Sequence, residues 1–448
     1  MFEIETKKTD IPLIEQPSSQ KLLETLKRAC SQNKTLKSAL RVEMKIPFLD
    51  PLAWLQAQSS RTQIYWKDRS SRFEVAGVGQ AASYESMIPI NEIHTDRNIR
   101  YYGGLRFADF SKPDSSWQSF GSSHFILPRF EIVRDHEESL LACNLFPADN
   151  LSHIMEEFRQ LCFDPKPVIF QMPRLLQRWD NPNQNGWRQK VEKALEAFKP
   201  RHLEKIVLAR KSTFEFERKL HSLQLFERLR AAAPQCFHFY FQFYPTAAFI
   251  GASPERLFRC EGEKVWSEAL AGTRPRGDSP ETDVQLGEKL LNSNKDRREH
   301  QFVVEGIRTS LQSLCQTLEI DSPPSLLKVA GGQHLLTAIR GTLLSNIPSS
   351  KILEVLHPTP AVGGYPRKQA LEEIEKLESF DRGWYAGPIG WIGSREAEFA
   401  VAIRSGLVEG NQLSLFSGAG IISGSTPEGE WEEIEHKMSS FIKILTQP

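Results

Sequence analysis

Three ionisable residues near the end of the 448-residue chain are spaced so that they could hold a metal ion beside an anionic ligand. Glu430, Glu433 and Lys437 fall at i, i+3 and i+7, so a helix would place two carboxylates and one ammonium on a single face. Carboxylate oxygens suit a hard metal ion, and the ammonium suits a ligand carboxylate. The alternative is a solvated amphipathic helix in which Glu433 simply pairs with Lys437.

Two further residues have the chemical types needed for proton transfer. Lys205 opens the apolar run 206–209, where partial desolvation would lower the pKa of its ammonium and make it a general base. Glu255 follows an apolar strand that ends at Ala252, and it could act as the matching general acid. The alternatives are a lysine that extends its charge to solvent, and a carboxylate that caps a helix or pairs with Arg256.

Four other polar residues interrupt patterns that otherwise indicate buried or glycine-rich structure. They are Thr273, which follows Gly272 at the end of a predicted strand, Glu299 in a charged helix start, His334 in apolar company, and Arg404 within an apolar strand. A guanidinium within an apolar strand needs an anion, which is either a structural carboxylate or a ligand. The structural alternatives are that Glu299 lies on a solvated helix, and that His334 is a core residue whose hydrogen bonds are made within the protein.

The element that must position the C-terminal carboxylates is predicted to be a strand, a tight glycine turn and a helix. The strand covers 413–416, the turn covers 417–420, and the helix begins at Pro427. Glycines allow backbone N–H groups to approach a ligand closely, and the pair before Pro427, Ser425-Thr426, supplies a capping hydroxyl. Such a helix start favours an anion.

The rest of the chain predicts an α+β fold, because hairpin-spaced strands are mixed with helices. A first helix is expected from Gln20 to Cys30, with a polar lead-in over 1–45 and a single domain over 46–448. Segment 177–185 is expected to be a surface loop before a helix at 187–198. A continuous strand is expected over 398–408, and other helices are expected at 222–232, 295–315, 350–356 and 367–377.

The composition points to a small-molecule ligand. Lys+Arg and Asp+Glu both number 56, which argues against a nucleic acid or a membrane surface as the partner. The six cysteines have no metal-ligand spacing and fit a reducing compartment. A charged N-terminus and the lack of an apolar run of about 18 residues predict a cytoplasmic protein.

A set of short motifs, taken together, resembles the chorismate-utilising enzymes, and among them most closely the isochorismate synthases. The motifs between Leu203 and Lys437 are, in order, LEKIVLAR, GASPERL, EALAGT, KDRREH, HPTPAVGGYP, AIR, FSGAGI and GEWEEIEHK. YYGGLRF and FILPRFEI resemble upstream strands of the same family. The resemblance implies two antiparallel sheets packed face to face, with helices outside and the site in the cleft between the sheets.

The resemblance also implies a chemistry, in which water adds at C2 of the chorismate ring while the C4 hydroxyl departs. Lys205 would activate the water, and Glu255 would protonate the leaving hydroxyl. Glu299 and Glu433 would bind Mg2+, with Glu430 as a possible member of the metal shell. Substrate-binding positions are implied for Thr273, His334, Tyr385, Arg404, Gly418, Ala419, Gly420 and Lys437.

Two positions separate this chain from related branches of the family. Nitrogen-adding relatives have glutamine where Lys205 stands, so no glutamine amidotransferase subunit is expected. Ala271 stands where other relatives have a nucleophilic lysine, so no covalent intermediate is expected. The alternatives are a salicylate synthase, which goes on to eliminate pyruvate, and a non-catalytic chorismate-binding protein. Family precedent favours a monomer, and the product would feed menaquinone, siderophore or salicylate synthesis.

Overall fold

The computed structural model of the protein describes residue 24 and residues 39–88, 98–110, 114–135, 138–166, 171–198, 203–330 and 332–446. Apart from residue 24, the helix predicted from Gln20 to Cys30 lies outside the described residues. The first described strand crosses the boundary predicted at residue 45, because it runs from Leu40 to Ile46.

The strands, in chain order, are β1 (Leu40–Ile46), β2 (Gln63–Lys67), β3 (Phe73–Val78), β4 (Ala82–Tyr84), β5 (Tyr101–Leu105), β6 (Ser123–Leu127), β7 (Phe130–Asp135), β8 (Glu138–Leu145), β9 (Leu175–Asn181), β10 (Lys205–Phe216), β11 (Phe237–Gln242), β12 (Ala247–Ser253), β13 (Arg256–Glu261), β14 (Lys264–Arg274), β15 (Cys315–Ile320), β16 (Ser325–Val329), β17 (Gly332–Leu343), β18 (Gly364–Tyr365), β19 (Pro388–Ile392), β20 (Glu396–Val401), β21 (Ser405–Glu409) and β22 (Gln412–Ile422). The helices are α1 (Pro51–Gln56), α2 (Leu151–Arg159), α3 (Gln184–Ala197), α4 (Ser222–Ala232), α5 (Pro280–Leu291), α6 (Asn294–Gln312), α7 (Ser349–Leu356), α8 (Arg367–Leu377) and α9 (Pro427–Thr446).

These strands form two antiparallel sheets. In the first sheet the order is β1-β8-β7-β3-β2-β11-β12-β21-β22-β10-β18, with β9 also paired to β10. In the second the order is β15-β17-β14-β13-β20-β19-β5-β6-β4, with β16 also paired to β17. Aromatic side chains connect the sheets, since the rings of Phe73 on β3 and Trp391 on β19 lie 5.9 Å apart. The predicted α+β fold with two antiparallel sheets is confirmed.

Two predicted segments differ from the structure. The loop expected over 177–185 contains most of strand β9, because Leu175–Asn181 pairs with Lys211–Phe216 of β10 and so satisfies its backbone hydrogen bonds. The continuous strand expected over 398–408 is two strands, β20 and β21, which belong to different sheets. Arg404 lies between them with φ of 52°, a left-handed conformation that ends one strand and redirects the chain.

The glycine turn predicted over 417–420 is also wrong, because these residues continue strand β22. Gly418 and Gly420 lie opposite Ala209 and Val207 of β10. The predicted helix start is confirmed: α9 begins at Pro427, and the Gly429 N–H donates to the Thr426 hydroxyl at 3.3 Å.

No helix in the described part of the chain is long and apolar enough to cross a membrane.

Candidate active site

A cavity lies where the ends of β10 and β22 from the first sheet approach β14 and β17 from the second, beneath helices α6 and α9. It has about 680 Å³ of empty space, counted with its open mouth. Its walls contain most of the predicted site residues and several apolar ones: Val207, Pro254, Glu255, Leu270, Ala271, Gly272, Thr273, Glu299, His334, Ala361, Val362, Tyr385, Ile403, Arg404, Phe416, Ser417, Gly418, Gly420, Glu433 and Lys437.

Lys205 is not among the residues that line this cavity, but it contacts one of them. It is the first residue of β10, it is 1% exposed, and its Nζ lies 3.0 Å from Glu299 Oε1 on α6. A buried ammonium is desolvated and needs a carboxylate partner, which Glu299 supplies in this structure. Lys205 therefore reaches the cavity only by way of its contact with Glu299, which does line the cavity.

Glu255 lies in the short connection between β12 and β13 and is 3% exposed. Burial raises the pKa of its carboxyl to about 8, although the charges of Lys205 and Lys437 oppose this effect. The backbone fixes its position, since the Glu255 N–H donates to Ser253 Oγ at 3.2 Å and the Glu255 carbonyl accepts from the Val401 N–H at 3.1 Å. Glu255 is therefore a positioned carboxylic acid that retains its proton at neutral pH.

Helix α9 brings a second carboxylate to the cavity, and this one is ionised. Lys437 Nζ lies 2.6 Å from Glu433 Oε1 and also donates to the Gly418 carbonyl at 2.9 Å. Burial alone would raise the pKa of Glu433, but the adjacent Lys437 ammonium outweighs it and holds that pKa below its usual value. Arg404 Nη1 donates to the Lys437 carbonyl at 2.8 Å, which places two cationic side chains at this end of the cavity.

The donors suit the predicted metal. Glu299 and Glu433 present carboxylate oxygens to the same cavity, and Mg2+ is usually bound by one or two carboxylates together with waters and substrate oxygens. A Cβ on Gly420 would lie 2.4 Å from Glu299 Oε1, so the glycine preserves the space around this carboxylate. Within the described ranges, no cluster of three or more His, Cys, Asp or Glu side chains is arranged as a metal site.

A neutral polar pair lines another part of the wall. Thr273 Oγ1 lies 3.1 Å from His334 Nδ1, and these residues are neighbours across β14 and β17. Burial, reinforced by the nearby Arg404 and Lys437 charges, lowers the pKa of His334 to about 3, so its ring is neutral. Its Nε2 atom is buried and has no hydrogen-bond partner among the described residues. An unpartnered buried nitrogen in a cavity wall is suited to a polar group of a ligand.

Small residues give the cavity its depth. A Cβ on Gly418 would lie 3.1 Å from the Tyr385 hydroxyl oxygen, and one on Gly420 would also lie 3.0 Å from Lys205 Cε. Tyr385 is held by stacking on Phe416, with ring centroids 5.4 Å apart. Gly418 and Gly420 therefore leave room for neighbouring side chains within an extended strand. The sequence had predicted a turn at these positions.

Three predicted residues are not among those lining the cavity. Lys205 contacts Glu299, as described above. Ala419 is fully buried and, because side chains alternate along β22, it points away from the face that Gly418 and Gly420 present. Glu430 is 2% exposed and pairs with Lys295 at 3.0 Å.

Sequence reasoning missed the apolar part of the wall. Val207, Leu270, Val362, Ile403 and Phe416 line the cavity, yet in the sequence they cannot be told apart from core residues. It also missed Lys295, whose position next to Glu430 joins helices α6 and α9. The only available signal was its place in the charged run before Glu299.

The sequence of the chain matches a family of enzymes that bind chorismate. Residues 24–446 match the family described as chorismate binding enzyme, and the chain belongs to that family. It is 33% identical over 433 residues to the isochorismate synthase MenF of Escherichia coli strain K12, a match that covers 94% of this chain and 98% of that protein. It is 37% identical over 396 residues to isochorismate synthase 2, chloroplastic, of Arabidopsis thaliana, covering 83% of this chain and 70% of that protein.

The fold of this chain also matches a solved structure. The structure of MenF, titled as the menaquinone-specific isochorismate synthase from Escherichia coli, superposes with a TM-score of 0.84 at 30% identity, covering 94% of this chain and 100% of that chain. The predicted resemblance to isochorismate synthases within the chorismate-utilising enzymes is confirmed.

Proposed function

We propose that the protein is an isochorismate synthase, which converts chorismate to isochorismate by adding water at C2 and removing the C4 hydroxyl. The observation that carries the proposal is one cavity lined by a carboxylic acid of raised pKa and by two further carboxylates beside cationic side chains, with a buried lysine paired to one of those carboxylates. A reaction that exchanges one hydroxyl for another needs a base for the incoming water and an acid for the leaving group.

Lys205 is the proposed base, and Glu255 is the proposed acid. Lys205 is supported by its burial and by its contact with Glu299, a carboxylate that lines the cavity. Glu255 is supported by its raised pKa of about 8, which keeps a proton available for the departing hydroxyl at neutral pH. Each transfer contributes roughly 100- to 10,000-fold to the rate.

The proposed metal is Mg2+, held by Glu299 and Glu433. When bound, it would supply positive charge to the ring carboxylate of chorismate. Glu430, which is buried just outside the cavity, is proposed as an outer contact of this site. Arg404, Lys437, Tyr385 and the backbone at Gly418 to Gly420 are proposed to receive the second carboxylate, and Thr273 and His334 are proposed to border the ring.

The protein is further proposed to act as a monomer in the cytoplasm, without an amidotransferase subunit. The five cysteines in the described residues are unpaired, which supports a reducing compartment. Isochorismate made here would enter menaquinone, siderophore or salicylate synthesis.

The test is to incubate the purified chain with chorismate and Mg2+, with a chelated control, and to resolve the products by chromatography. We expect isochorismate in equilibrium with chorismate, without pyruvate. Salicylate with pyruvate would instead assign a salicylate synthase, and the absence of any turnover would favour a chorismate-binding protein. The Lys205→Ala variant should lose the hydration step and still bind chorismate in the presence of Mg2+, whereas unchanged turnover would remove Lys205 as the base.

A further inference from the structure

Three carboxylates in or beside the cavity are each paired with a lysine. The pairs are Lys205 of β10 with Glu299 of α6 at 3.0 Å, Lys437 with Glu433 within α9 at 2.6 Å, and Lys295 of α6 with Glu430 of α9 at 3.0 Å. The first two pairs involve the proposed metal ligands. The third involves neither ligand, but its two residues lie on the same two helices as the ligands.

Lys295 is placed within reach of all three carboxylates. It is on α6, one turn before Glu299, and its partner Glu430 is on α9, almost one turn before Glu433. Burial lowers the pKa of Lys295, but the charges of Glu430, Glu299 and Glu433 together raise it above its usual value. Lys295 is therefore a fixed positive charge beside the proposed metal site.

Glu430 is the group that Lys295 neutralises. Its side chain is 3% exposed, and burial together with the nearby Glu433 charge raises the pKa of Glu430 above its usual value, whereas Ser425 and Lys295 oppose that rise. An ionised Glu430 attracts a divalent cation, and Lys295 offsets that attraction while adding a repulsion of its own.

We propose that Lys295 lowers the affinity of the Glu299–Glu433 site for Mg2+ through its positive charge. The inference rests on the proposed function, because it takes these two carboxylates as the metal ligands. It assigns Lys295 a tuning role that operates through charge.

A purely mechanical role for the same pair makes the opposite prediction. If Lys295 and Glu430 only clamp α6 to α9, removing either residue would loosen the site and weaken metal binding. If Lys295 acts through charge, its removal strengthens metal binding, whereas removal of Glu430 weakens it. The sign of the change therefore separates the two roles.

The experiment is a calorimetric titration of the full-length protein with Mg2+ alone, at low ionic strength. We expect Lys295→Met to bind Mg2+ several-fold to about tenfold more tightly than the unaltered chain, and Glu430→Gln to bind it more weakly. Lys295→Arg keeps the charge and should stay close to the unaltered chain. The gain in Lys295→Met should shrink as salt is added, because charges near the surface are screened.

Lys351→Met is a matched control for the loss of one positive charge. Lys351 forms an exposed pair with Glu354 at 2.8 Å on α7, and neither residue lines the cavity, so its removal should leave the titration unchanged. Weaker or unaltered Mg2+ binding by Lys295→Met would overturn the inference. If neither chain binds Mg2+ alone while chorismate conversion still requires it, the inference fails and the proposed function stands. If conversion is also indifferent to Mg2+, the proposed metal site itself fails.

Discussion

Two glutamates of the same cavity, Glu255 and Glu433, have opposite proton states. Glu255 sits in a connection between strands and forms no ion pair among the described residues, and burial raises its pKa to about 8. Glu433 sits on helix α9 with Lys437 Nζ 2.6 Å away, and its pKa is held below the usual value despite burial.

The difference shows how one residue type can hold a proton at one position of a cavity and be ionised at another, as the proposed acid and the proposed metal ligand require. Burial disfavours the charge on both carboxylates, and what separates them is the distance to a cation. Lys205 and Lys437 act on Glu255 too, but only from beyond salt-bridge distance, and there burial prevails. The backbone decides these distances, because one glutamate follows a strand and the other is one helical turn from its lysine.

The largest expected effect comes from removing the acid. Glu255→Gln keeps the shape of the side chain but has no proton to deliver at the leaving hydroxyl, so kcat should fall roughly 100- to 10,000-fold. Steady-state kinetics with chorismate measure this loss, and KM should change much less than kcat. A kcat within twofold of the unaltered enzyme would show that Glu255 is not the acid.

The next prediction concerns Gly420, whose lack of a side chain leaves room for Lys205, the proposed base, and for Glu299, a proposed metal ligand. In Gly420→Ala the new Cβ would lie 2.4 Å from Glu299 Oε1, whereas in Gly418→Ala the closest contact would be 3.1 Å. Because Glu299 Oε1 is the far end of a flexible side chain, the new methyl group should displace this carboxylate, so Gly420→Ala should raise the Mg2+ concentration needed for half-maximal activity and lower kcat/KM. Gly418→Ala is the matched comparison and should mainly raise KM for chorismate, so an equal change in the Mg2+ requirement of both variants would contradict the placement of Glu299.

A smaller effect is expected at the paired glutamate. Glu433→Gln keeps the size of the side chain but removes the negative charge, so the Mg2+ concentration that gives half-maximal activity should rise roughly tenfold to a hundredfold, since a charge-assisted contact is worth about 1.5–3 kcal/mol. The measurement is activity against Mg2+ at saturating chorismate. An unaltered Mg2+ titration would take Glu433 out of the metal site.

The sequence predicted the type of fold, and most of the ionisable residues that line the cavity, better than it predicted their geometry. The apolar run after Lys205 indicated the strand, and the proline and hydroxyl near 427 indicated the helix start. The glycines at 418 and 420 were wrongly placed in a turn, since a glycine chosen for clearance in a strand has the same appearance in sequence as one chosen for a positive φ.

Contacts between distant parts of the chain could not be predicted from spacing. Lys205 and Glu299 are brought together only because β10 ends against α6, and the left-handed Arg404 depends on the chain passing from one sheet to the other. The apolar wall residues were missed because burial in a core and burial in a cavity wall select the same side chains. The resemblance supplied the set of site residues, and the structure supplied the partners that determine their charge.

The smallest effect concerns stability and follows from the raised pKa of Glu255. In the folded protein this carboxyl titrates near pH 8, whereas in the unfolded chain a glutamate titrates near about 4.3. The folded state thus binds the proton more tightly, so stability is fully present below the unfolded pKa, falls as pH rises, and is lost once pH passes the folded pKa. Glu255→Gln does not titrate, so its melting temperature relative to the unaltered chain should increase by a few degrees between pH 5 and pH 9.

Melting curves of both chains across that range measure the difference. The control is the Glu433→Gln variant, because the pKa of Glu433 in the unaltered chain is lowered. A constant difference across the range would mean that Glu255 is already ionised in the folded protein, and the contrast between the two glutamates would disappear.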